Sequence, residues 1–142
     1  MRHLNRIVVV PGVFDILHIG HTRFLESAAN LGSYVIASVL SDGAVMEKKG
    51  VPPVLTFNER REVVASLRTV DMVVCQEHDD ITTTLKKLTD LKFQPSILVR
   101  SSQNESEHGL KYMKKIGGHI AILDYDTSIS STIIKERVNG NA

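Results

Sequence analysis

Cysteine is nearly absent: Cys75 is the single one among 142 residues. An intramolecular disulfide is therefore excluded, and a reducing compartment is the expectation. Cys75 closes the apolar run MVVC (72–75) and reads as a buried strand residue rather than a nucleophile. An excess of one charge is also missing, since 17 Lys and Arg stand against 16 Asp and Glu, a net charge of +1. That balance argues against nucleic acid or an anionic membrane as partner, while leaving room for a small local anion site. No apolar run approaches the roughly 18 residues of a membrane span. The opening MRHLNRIVVVPG carries an apolar run of about four residues, against about 7–15 in a signal peptide. The expectation is a cytoplasmic chain with one domain over residues 1–142, a length that suits a single core.

Several catalytic fingerprints are missing as well. There is no G-x-S-x-G elbow, no phosphate loop of the form G-x-x-x-x-G-K-[ST], no G-x-G-x-x-G and no H-E-x-x-H. Acyl transfer by a serine triad, dinucleotide binding and helix-borne zinc chemistry thus lack their signatures.

What is present is alternation. The apolar, β-branched runs at 6–10, 34–40, 72–75, 96–99 and 119–123 read as strands. Between them lie helical patterns at 21–32, 56–68, 79–92 and 106–117, and a short helix closes the chain at 130–138. Thr56 with Glu59 forms a capping-box pattern. The Gly- and Pro-containing segment 41–55 reads as a polar loop. Continuously apolar strands suggest burial on both faces. Strand–helix alternation along the whole chain predicts an α/β fold with a doubly wound, five-stranded parallel sheet. Ligands of such sheets bind beyond the carboxyl ends of the strands, so the loops 11–20, 41–55, 76–80, 100–105 and 124–129 are the candidate site.

The loop after the first strand holds His18 and His21 with Gly20 between them. Zinc would need a third and usually a fourth donor, and none is spaced to supply it, so no protein-held metal is expected. Phosphate binding fits better. Gly12 lets the backbone approach a ligand, and a helix starting near Gly20 or His21 points free N–H groups and its positive end into the same loop. An imidazole donor there stabilises charge on phosphoryl oxygens without a covalent intermediate. Two solvated loop histidines remain the alternative on spacing alone.

The string GVFDILHIGH (12–21) closely resembles the H-x-G-H signature of the nucleotidyltransferase superfamily, in its cytidylyltransferase-like branch. SDGAVMEKKGVPPVLTFNERREVVASLRTVDMVV (41–74) is similar to that branch's middle segment, and SISSTIIKERV (128–138) to its closing S-T-T helix start. The resemblance implies a Rossmann-like domain that transfers a nucleoside monophosphate from CTP or ATP to a phosphorylated small molecule and releases pyrophosphate. It implies Mg2+ arriving with the nucleotide, and a homodimer. By motif position, His18, His21, Lys49 and Thr132 are the expected catalytic contacts to the phosphates. Gly12, Val13, Phe14, Gly20, Arg100, Tyr125, Ser128, Ile129, Ser130 and Ser131 are expected to shape the nucleotide pocket. Lys48 and Arg60 are expected to face the acceptor, Arg60 as its phosphate ligand, and Asp15 either to face the acceptor or to serve a structural role. The chain also departs from the pattern. Tyr125 stands where glycerol-3-phosphate enzymes carry arginine, and Ser128 replaces a glycine. RSSQ (100–103) replaces the Lys-Gly-Gly-Asp of heptose-phosphate adenylyltransferases, a second acceptor class this chain resembles. These changes leave open an adenylyltransferase, or a nucleotide-binding module with weak or no catalysis.

Overall fold

A computed structural model describes residues 6–104, 106–126 and 128–140. Its elements are β1 (Ile7–Gly12), α1 (Ile19–Ala29), β2 (Tyr34–Leu40), α2 (Asp42–Lys49), α3 (Phe57–Ala65) and β3 (Met72–Gln76), then α4 (Thr82–Asp90), β4 (Pro95–Ser101), α5 (Leu110–Lys115), β5 (His119–Leu123) and α6 (Ser131–Val138). All five strands join one parallel sheet in the order β3-β2-β1-β4-β5.

The period of two along β1 divides the core. Val8 and Val10 face a cluster with Phe24, Leu25 and Ala28 of α1 and Val64 of α3. Ile7 and Val9 face Ile81, Leu85 and Leu88 of the α4 region and Met113 of α5. Both faces of the sheet are thus covered, which is why the central strands carry no polar alternation. Among the described residues no helix is long and apolar enough to cross a membrane.

Two expectations need correction. Segment 41–55 is not all loop, because residues 42–49 form α2. Ser41 caps it by accepting from Ala44 N, and Gly50 ends it in the left-handed region at φ 73°. Cys75 is exposed rather than buried, because β3 lies at the edge of the sheet. Burial of its surroundings still raises the thiol pKa, so it has no nucleophilic activation.

Candidate active site

The chain turns sharply after β1. Phe14 and Ile16 both adopt positive φ, 54° and 48°, a conformation costly for side chains of this size and tolerated where the surroundings impose it. Phe14 is buried, and its ring folds back over Gly12, where an added Cβ would come within 2.7 Å of the ring. Glycine at 12 is what allows this return.

The two histidines build the start of α1. His18 is the N-cap, and its Nδ1 accepts from Gly20 N at 3.0 Å. His21 Nδ1 accepts from the His18 backbone N–H at 3.2 Å, completing a reciprocal capping box. The rings lie 3.9 Å apart between centroids. A Cβ on Gly20 would sit 2.8 Å from the His18 ring, so the glycine between them is required by the cap itself. A backbone N–H can only donate, so each Nδ1 is unprotonated and each neutral ring carries its proton on Nε2. Burial lowers the pKa of His18. Burial, then His18 and Lys49, lowers that of His21 to about 4. At neutral pH both rings are uncharged Nε2–H donors.

A second helix start meets the first. Ser130 caps α6 by accepting from Ile133 N at 3.1 Å. The Ser131 hydroxyl donates to the carbonyl of Asp15, tying α6 to the β1–α1 loop. Ile129 is buried against Gly20. Thr132 lies exposed in the first turn of α6. Two positive helix ends therefore converge, an arrangement suited to a polyanion. Lys49, at the end of α2, adds charge: its pKa is lowered by partial burial and then by Lys135 of α6. Tyr125 packs edge-on to His21 at 6.1 Å and against Phe24 at 5.4 Å, and burial pushes its hydroxyl up to about 12.

The acceptor-facing expectations fare differently. Arg60 is fully buried. Its Nε donates to Leu55 O, Nη1 to Val13 O at 2.7 Å and Nη2 to Asp42 at 2.8 Å. It is a buried tie between α3, α2 and the β1 loop, with each guanidinium nitrogen bonded within the protein. Asp15 is also buried, and its two carboxylate oxygens accept from Val54 N and Leu55 N. It clamps the 51–55 loop, in keeping with the structural role among its expectations. Lys48 pairs with Asp79 at 3.5 Å. Arg100, expected with the nucleotide, lines a cavity beyond the β1 end together with Gly12, Val13 and Lys48.

Two residues escaped the sequence reading. Asp126 accepts from Ser128 N at 2.9 Å and from the Ser128 hydroxyl, and it pairs with Arg23 of α1 at 2.8 Å. The turn that the missing glycine would have made freely is thus held by an Asp-x-Ser bracket, a signal that was readable in DTS. Among the described residues no three His, Cys, Asp or Glu side chains converge as a metal cage.

A family model described as cytidylyltransferase-like matches residues 9–137. The bifunctional protein HldE of Hahella chejuensis is 32% identical over 139 residues, which are 96% of this chain and 28% of that protein. The FAD synthase of Pyrococcus abyssi is 43% identical over 91 residues, 64% of this chain and 59% of that protein. This chain thus spans little more than a quarter of the HldE protein it matches. In structure, the lipopolysaccharide core biosynthesis protein from Thermoplasma volcanium superposes with a TM-score of 0.66 at 24% identity, over 85% of this chain and 96% of that one. That likeness speaks for the fold.

Proposed function

The chain belongs to the cytidylyltransferase-like family of nucleotidyltransferases, and from that premise we propose that it transfers a nucleoside monophosphate from ATP or CTP to a phosphorylated small molecule. An anionic oxygen of the acceptor phosphate attacks the α-phosphorus of the nucleotide. The new O–P bond forms as the bond to the bridging oxygen breaks, and pyrophosphate leaves with that electron pair. The nucleophile is already ionised, so no side-chain base is required, and the protein's work is alignment and charge stabilisation.

The observation that carries the reading is the reciprocal cap of His18 and His21. It leaves two neutral Nε2–H donors beside two helix N-termini, where charge on the phosphates grows during transfer. Lys49, the amides at Ser130 to Thr132, the hydroxyls of Ser130 and Thr132, and the backbone at Gly12, Val13 and Phe14 complete the nucleotide contacts. Ser128 and Ile129 shape the loop, and Tyr125 walls the pocket beside His21. Mg2+, when bound, neutralises phosphate charge, held mostly by the nucleotide and water. ATP is favoured over CTP, because the relatives include an FAD synthase, named for an adenine dinucleotide product.

Pyrophosphate release across ATP, CTP, GTP and UTP with a set of phosphorylated acceptors tests the reaction. Thermal shift with Mg2+ identifies the base, since a nucleotide at a hundredfold over its Kd adds about 2.7 kcal/mol. Tight nucleotide binding with no turnover for any acceptor would replace the transferase by a binding module. A homodimer and a cytoplasmic location complete the proposal, and sedimentation decides the first.

A further inference from the structure

Helix α2 carries Lys49 at its last position, yet little of it is anchored in the core. Ala44 and Val45 are its only buried residues, and they join a small cluster with Leu40. Every residue from Met46 to Gly50 is exposed. Its eight residues fall short of the roughly 12–15 that a helix needs to stand alone in water. Polar contacts therefore decide where its last turn lies.

Those contacts converge on the turn that follows β3. Gln76 is buried, accepts from the Ser38 hydroxyl at 2.8 Å, and donates through Nε2 to the carbonyls of His78 at 2.9 Å and Asp79 at 3.1 Å. The turn is thereby fixed from inside the sheet, and it holds α2 at both ends. At the start, Ser41 N donates to Gln76 O at 2.8 Å, and the buried Arg60 pairs with Asp42 at 2.8 Å. At the finish, the Glu47 carboxylate takes two bonds, from His78 Nδ1 at 3.1 Å and from Asp79 N at 3.3 Å. Lys48 adds its pairing with Asp79. A carboxylate only accepts, so His78 carries a proton on Nδ1. The start of α2 thus has buried support, whereas its last turn has this exposed clasp.

Glu47 and Lys49 are two residues apart, which at about 100° per residue sets them on opposite sides of the helix. One side is clasped to the turn and the other carries the ammonium. After burial and the neighbouring His18, the Lys49 charge is what depresses the pKa of His21, so that ammonium stands near the phosphate-facing donors. No described carboxylate lies within ion-pair distance of Lys49. Its reach follows from where the last turn of α2 is held.

Resting on the nucleotidyltransferase reading, we propose that Glu47 is a positioning residue: its clasp to His78 and Asp79 sets the last turn of α2 and so delivers Lys49 to the nucleotide phosphates. A misplacement of about 1 Å costs a reacting group up to roughly a hundredfold in rate. Two exposed hydrogen bonds that add little stability therefore govern turnover.

Rates of Glu47→Ala, Glu47→Gln, Lys49→Ala and the double variant test this, with ATP or CTP as nucleotide and glycerol 3-phosphate or a heptose 1-phosphate as acceptor. Glu47→Ala is expected to lower kcat roughly tenfold or more. It should leave the melting temperature within about 3 °C of wild type and the acceptor KM within about twofold. Glu47→Gln keeps one accepting oxygen and recovers part of kcat. In the Lys49→Ala background, adding Glu47→Ala lowers kcat by less than about twofold, because the group it positions is gone. Hydrogen exchange reads the clasp without turnover: the amides of 44–49 exchange faster in Glu47→Ala, while those of α1 exchange as in the wild type. A kcat near wild type in Glu47→Ala, or the same loss with and without Lys49, overturns the assignment while the reaction stands. Unchanged exchange at 44–49 overturns the clasp. No pyrophosphate from any nucleotide and acceptor, wild type included, removes the reaction itself and this assignment with it.

Discussion

At the scale of the residue, His18 and His21 each do two jobs with two different nitrogens. Nδ1 holds the helix start, and the cap in turn dictates that Nε2 carries the proton. The jobs separate by substitution. Asparagine is a good N-cap, so His18→Asn should keep unfolding stability within about 1 kcal/mol of wild type. The same change should lower turnover by roughly 10²–10³, the cost of one transition-state donor. His21→Ala should lose similar activity together with part of the cap. Urea unfolding beside initial rates measures both, and near wild-type turnover in either variant sinks the assignment. The H-x-G-H spacing singled out the pair, but not its tautomer. That required knowing which backbone N–H each ring meets.

At the scale of the element, the ends of helices carry the site. Gly20 is conspicuous in the sequence, and its reason is local: a Cβ would strike the very ring that caps α1. Arg60 shows the opposite case, where sequence position suggested a ligand contact and packing seats the side chain among protein partners. Its side chain joins α3 to Asp42 of α2 and to the carbonyls of Val13 and Leu55. Arg60→Met should destabilise the protein by about 1–3 kcal/mol for each of the Val13 and Leu55 carbonyls it leaves without a donor. Denaturant unfolding reads that loss. A change below 1 kcal/mol with only the acceptor KM raised would return Arg60 to the substrate. Most strands and the long helices were legible because their apolar periods are sustained. Helix α2 was not, since Gly43 and a charged surface dilute its period, although its Ser41 cap and Gly50 stop stood in plain view.

At the scale of the whole molecule, folding depresses the pKa of His21 from 6.5 to about 4. The unfolded chain therefore binds more protons than the folded one between those values, and stability rises with pH there. The contribution is complete above about pH 6.5 and is lost as pH falls toward 4, by about 2–3 kcal/mol at most. Unfolding free energies at pH 4 to 7.5 should show this slope, and His21→Asn should flatten it. An unaltered slope in the variant would place the titrating group elsewhere. The sequence by itself determined the fold class and the reaction family, because both are written in short-range order: apolar periods, turn glycines and three motifs along the chain. Only the tertiary structure decided that Cys75 lies on an open edge, that Asp15 and Arg60 are ties within the protein, and that Arg100 has no carboxylate within ion-pair distance among the described residues. Those are facts about which distant groups exclude water from one another. Burial and pairing are set across the sheet, between residues that no local spacing connects.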